Sequence, residues 1–143
     1  MRKQWMERNA PAEWNVRVLT EDDFWLLSAA AGIVVHEVPI ERLGVHFRRR
    51  HQHLIFINDR LRGVERRFVL WHELAHCYLH PPGIQFFHGF DSLVETEADV
   101  FAVCALIPRP ALLHYWPSEL ADLYGYPPDL IEFRQSVWDR WRL

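Results

Sequence analysis

The residues best suited to chemistry lie together in Trp71-His72-Glu73-Leu74-Ala75-His76-Cys77-Tyr78-Leu79-His80. On a helix, positions i and i+4 stand one turn apart and about 40° apart around the axis, with Cβ atoms about 5–6 Å apart. Imidazoles at 72 and 76 can therefore converge on one ion at the zinc–nitrogen distance of about 2.0–2.1 Å. Glu73, about 100° further round, can lean toward water beside such an ion without binding it. His72-Glu73-x-x-His76 is thus the H-E-x-x-H pattern of zinc hydrolases, two ligands and a base. With 9 histidines in 143 residues, composition alone gives about 0.04 such matches.

The competing reading is a helix whose histidines are merely solvated or hydrogen-bonded. The surroundings weigh against it. Phe68-Val69-Leu70-Trp71 with Leu74, Ala75, Tyr78 and Leu79 makes a mostly apolar helix of the kind that is buried. Polar groups buried in it need partners, and a metal would satisfy all three.

A zinc site wants a third protein ligand and, for catalysis, an open fourth position. Glu95-Thr96-Glu97-Ala98-Asp99, on a later helix, offers one. Glu95 and Asp99 share a face; if Glu95 binds zinc, Asp99 can accept the free N–H of a ligating histidine. Ser92-x-x-Glu95 also reads as a capping box, but that leaves the two buried histidines unexplained. Glu97, which points elsewhere, is the alternative ligand. His80 is also four residues from His76, yet that pair has Cys77 where the first has Glu73, so His80 reads as a helix-end cap. Tyr78 and His88 are candidate pocket residues. The oxyanion donor is open among Tyr78, His88, His114, Tyr115 and Tyr124.

The positioning elements can be read in chain order. Residues 1–19 look irregular, an arm packed through Trp5 and Trp14. Thr20 caps a helix that stops at Gly32. Ile33 to Val38 reads as a strand, and Gly44–Phe47 and Leu54–Ile57 as a hairpin, with Arg48-Arg49-Arg50 at its strand end or turn. The motif helix begins near Val64 or Glu65 and ends before Pro81-Pro82-Gly83. A loop from Ile84 to Phe90 follows, then a helix capped by Asp91 or Ser92 and running to about Leu106. Short helices open at Pro110 and Ser118, and a last one spans Pro128 to Trp141. The expected class is α+β: a small antiparallel or mixed three-stranded sheet beside a zincin-type helix pair, with a helical C-terminal tail. One domain spans 1–143, comprising the arm 1–19, a catalytic core 20–110 and the tail 111–143.

The last helix superficially suggests a helix-turn-helix reader. Its apolar face (Leu130, Ile131, Phe133, Val137, Trp138, Trp141) and mixed charges read instead as packing. The formal net charge of -3 gives no basic field for phosphate backbones, so no direct nucleic-acid or membrane contact is expected. Cys77 and Cys104 form no disulfide framework and read as small buried residues. Without a signal-peptide pattern or an apolar run long enough to span a bilayer, the chain reads as soluble and cytoplasmic.

Together these residues resemble the ImmA/IrrE family of zinc metallopeptidases. The likeness rests on Arg67-Phe68-x-x-x-His72-Glu73-Leu74-Ala75-His76, His80, Glu95-x-x-x-Asp99-x-Phe101-Ala102 and Leu106-Ile107-Pro108, with the preceding helix, strand and hairpin including Asn58. Ala75 stands where the family often has glycine, and Ile107 where it often has methionine. The resemblance implies one zinc ion on His72, His76 and Glu95, with Glu73 as general base. It implies cleavage of a separate helix-turn-helix repressor, in phages, mobile elements or stress responses. Two alternatives stay open: a non-cleaving regulator that binds a repressor through the same fold, and structural zinc closed by His80 or His88.

Overall fold

The computed structural model describes residues 1–80 and 90–143. The expectations for the Ile84–Phe90 loop, His88 and the Asp91 cap fall outside the described residues or their side chains.

The N-terminal arm is not irregular throughout: it opens with α1 (Lys3–Asn9). A seven-residue helix is too short to stand on propensity alone, so tertiary contacts hold it. Met6 is fully buried. Trp5 Nε1 donates to the Leu79 carbonyl at 2.9 Å, and further along Trp14 Nε1 donates to Phe101 at 2.9 Å. The arm thus packs through both tryptophans, as expected.

Thr20 and Asp23 close a reciprocal capping box at the start of α2 (Glu21–Ala30). Gly32, at φ +67°, takes the left-handed conformation that turns the chain into β1 (Val34–Val38). β2 (Gly44–Arg49) and β3 (Gln52–Asn58) form the hairpin, with Arg50 at φ +57° in its turn. The order is β1-β3-β2; β1 runs parallel and β2 antiparallel to β3, so the sheet is mixed. Ile55 and Ile57 of β3 are fully buried, and their face, shared by His46 and Gly44 of β2, packs on the next helix.

That helix is α3 (Gly63–Leu79). Arg66 ties its first turns to Glu21 and Glu37, each at 2.5 Å, so the helix is referenced to both α2 and β1. α4 (Phe90–Leu106) lies along α3, and Val100 through Ile107 are all fully buried. A helix apolar on every side belongs in the middle of a molecule. α5 (Arg109–His114), α6 (Pro117–Tyr124) and α7 (Pro128–Trp141) complete the chain, each with proline in its first turn, where the missing N–H costs nothing. Arg134 is fully buried; its guanidinium donates to the carbonyls of Ile107 (2.6 Å) and Leu143 (2.8 Å). The fold is α+β, with seven helices among the described residues. No helix among them is long and apolar enough to cross a membrane.

Candidate metal centre and cleft

α3 and α4 meet so that three side chains converge. His72 Nε2 lies 3.2 Å from His76 Nε2 and 3.1 Å from Glu95 Oε2, and His76 Nε2 lies 3.5 Å from Glu95 Oε1. Two atoms bonded to one ion at about 2.0–2.1 Å with a tetrahedral angle stand about 3.3–3.4 Å apart. The three spacings suit such an ion. The Glu95 carboxylate lies against both imidazoles.

The partners of the two rings decide which nitrogens face this point. Asp99 Oδ1, 2.8 Å from His72 Nδ1, can only accept, so His72 presents Nε2. His76 is set by a longer chain. Glu97 Oε2 accepts from His80 Nε2 (3.2 Å), leaving His80 Nδ1 to accept from His76 Nδ1 (2.9 Å) and freeing His76 Nε2. His80 is the C-cap residue of α3, through its backbone N–H to the His76 carbonyl, while both its ring nitrogens are engaged away from the shared point. Glu97 is not beside that point either. Fully buried, it also receives the Arg2 backbone N–H (2.8 Å), Nε (3.1 Å) and a second guanidinium nitrogen (2.7 Å). This Arg2–Glu97–His80–His76 series has no signal in the local spacing, because Arg2 lies 95 residues from Glu97.

Two lone-pair nitrogens and a carboxylate this close repel unless something positive lies among them. Burial alone would lower the His72 pKa, but the bonds from Asp99 and Glu95 and the charge of Glu73 outweigh it and push it up to about 9. The bond from His72 holds Glu95 below its ordinary value. Burial and the charge of His72 hold His76 well down, so that ring stays neutral. Unless a metal lies among these groups, a proton on His72 supplies the positive charge they favour.

A cleft of about 640 Å³ opens over the three residues, lined among others by Arg42, Gly44, His46, Phe68 and Glu73. Burial lifts the Glu73 carboxyl to about 7, Glu95 adding to the rise and His72 opposing it. Gly44 is the close neighbour that sequence reading missed: a Cβ there would lie 2.7 Å from Glu73 Oε1 and 2.9 Å from Val69 Cγ1. A glycine inside a strand pattern is the signal for such an approach. Tyr78, expected as a pocket residue, does not line the cleft, and neither do His114, Tyr115 or Tyr124. Tyr115 lies in a separate cavity between α5, α6 and α7.

Residues 29–134 match the peptidase family described as the IrrE N-terminal-like domain. The chain belongs to this family. The matched span contains α3, α4 and the whole cluster around His72, but not α1 and Arg2. A protein of Bacillus phage phi105, described as "Uncharacterized immunity region protein 2", is 32% identical over 104 residues. That stretch covers 66% of each chain, so this chain spans just under two thirds of the phage protein's length. The IrrE-type peptidase relationship agrees with the resemblance read from the motifs.

Proposed function

We propose that the chain is a zinc-dependent endopeptidase that cuts one bond in a protein partner, and that the partner is a separate helix-turn-helix transcriptional repressor. The observation that carries this reading is the convergence of His72 Nε2, His76 Nε2 and Glu95 at 3.1–3.5 Å, with Glu73 beside them in the cleft. Family membership supports peptide hydrolysis, and the phage immunity-region relative supports a repressor as target. Two free cysteines suit the cytoplasm, where such a partner resides.

His72, His76 and Glu95 would hold the ion, while Asp99 and the His80–Glu97 pair keep the two rings turned toward it. A divalent ion there supplies Lewis acidity, making water easier to deprotonate and a peptide carbonyl easier to attack. Glu73, with a carboxyl raised to about 7, takes a proton from water in the cleft and delivers it to the leaving amine. Substrate reaches these groups along β2. Leu43 to His46 form part of the cleft wall, and β2 is an outer strand of the sheet among the described residues, an edge with which an extended peptide can pair. Among the described residues lining that wall, Arg42 is a cation within reach of the developing oxyanion.

The test is incubation of purified protein with a helix-turn-helix repressor, should one be encoded beside its gene. Glu73→Gln should keep one zinc in this site and lower cleavage by a factor on the order of 10²–10⁴. Equal cleavage by wild type and Glu73→Gln would refute the base. Repressor bound tightly and left intact by wild type would establish the non-cleaving regulator instead.

A further inference from the structure

A second group of metal-ligand side chains lies outside the cluster of His72, His76 and Glu95. The register of β2 on β3 sets Arg48 opposite His53 and His46 opposite Ile55. His46 and His53 are therefore diagonal neighbours on the face that packs against α3. Their rings stack with centroids 5.1 Å apart, and His46 Nε2 lies 2.8 Å from His53 Nδ1. From α3, Cys77 completes the group: one donor atom from each of the three residues lies within 4.8 Å of the others. Among the described residues these side chains have few other partners: His46 Nδ1 is buried with no hydrogen-bond partner, and the Cys77 thiol makes a long 3.8 Å contact to the Glu73 carbonyl.

From this geometry we infer a second cation site, formed by His46, His53 and Cys77, that takes a thiophilic divalent ion, zinc foremost. Two imidazoles and one thiolate are borderline-to-soft donors that select zinc over magnesium or calcium. On a zinc ion, nitrogen and sulfur donors stand about 3.3–3.6 Å apart. All three residues are only partly buried, so rotations of about an ångström bring them to that spacing. On binding, the thiol releases its proton to solvent as sulfur takes the ion. No oxidation is involved. Three protein ligands leave a fourth position for water. The site's consequence for the cleft is direct, because the His46 ring also stacks on His76 at 5.9 Å and lines the cleft. An ion here pins the β2–β3 hairpin to α3 beside the substrate groove.

The inference stands independently of the proposed peptidase centre, and cobalt titration of the full chain separates the two. Wild type should bind two equivalents, one of them giving the near-ultraviolet thiolate-to-cobalt absorption band. Cys77→Ser should abolish the band and leave one equivalent, whereas Cys104→Ser, at a buried position, should keep both. His72→Ala combined with Glu95→Gln should remove the other equivalent and retain the band. If Cys77→Ser fails to fold, His53→Ala decides: it should weaken the band-forming equivalent at least tenfold. A single equivalent without a thiolate band in wild type, or a band that survives Cys77→Ser, would overturn the site.

Discussion

Glu73 and Gly44 are coupled by contact, and that contact makes a residue-scale prediction. A methyl at 44 would meet Glu73 Oε1 at 2.7 Å and Val69 Cγ1 at 2.9 Å, so Gly44→Ala must displace the carboxylate or the strand. The variant should lose about 1–3 kcal/mol of stability. It should also cleave at least tenfold more slowly than wild type while its zinc content stays unchanged, as metal analysis beside a cleavage assay would show. His72 gives the second prediction. Its pKa is raised to about 9, so below that value a proton occupies the nitrogen proposed to hold the ion. Zinc affinity should therefore fall as pH falls, by about tenfold per unit between pH 8 and 6, with one proton released per ion. A calorimetric titration in buffers of different ionisation enthalpy measures both, and a flat affinity would remove His72 from the ligand set. The spacing of His72, His76, Glu95 and Asp99 was readable in the sequence because each pair follows the helical repeat. Gly44 and Glu97 were not, because what matters about them is a neighbour from another element.

At the scale of elements, α3 and α4 were legible almost to the residue. Both are long, apolar over most of their length, and have a proline in the sequence two residues past their last helical residue. The hairpin was legible too, though both its strands run longer than their apolar centres. The arm was not. α1 has no side-chain cap and no acid in its first turn, and its reason for existing lies in partners 74 and 95 residues away. Those partners give it a role beyond packing. Arg2→Ala would strip three bonds from the buried Glu97 carboxylate, which otherwise bonds only His80 among the contacts described. The arginine's own head is partly exposed, so a loss of about 1–2 kcal/mol is expected, much of it from leaving Glu97 under-bonded. Because His80 orients His76, zinc should also bind about tenfold more weakly. A melting curve with and without zinc distinguishes this from plain destabilisation: the stabilisation by zinc should shrink, not just the midpoint of the metal-free protein.

Across the whole molecule, the sheet, the α3–α4 pair and the helical tail share one interior, and Arg134 shows how the tail is fastened. Its guanidinium holds the end of α4 through Ile107 and the C-terminal Leu143 from one buried position. Arg134→Leu should cost about 2–4 kcal/mol by leaving those carbonyls unmet, with zinc affinity at pH 7 unchanged in the folded protein. A denaturant series read beside a zinc titration checks both halves. The centre proposed for peptide hydrolysis depends on this interior because it holds α3 and α4 at a fixed separation. The most direct measurement is a crystal structure of the zinc-loaded chain with anomalous data at the zinc edge. An ion should lie about 2.0–2.2 Å from His72 Nε2, His76 Nε2 and a Glu95 oxygen, with one position open to the cleft. Zinc-replete crystals with no anomalous peak between those three side chains would contradict it.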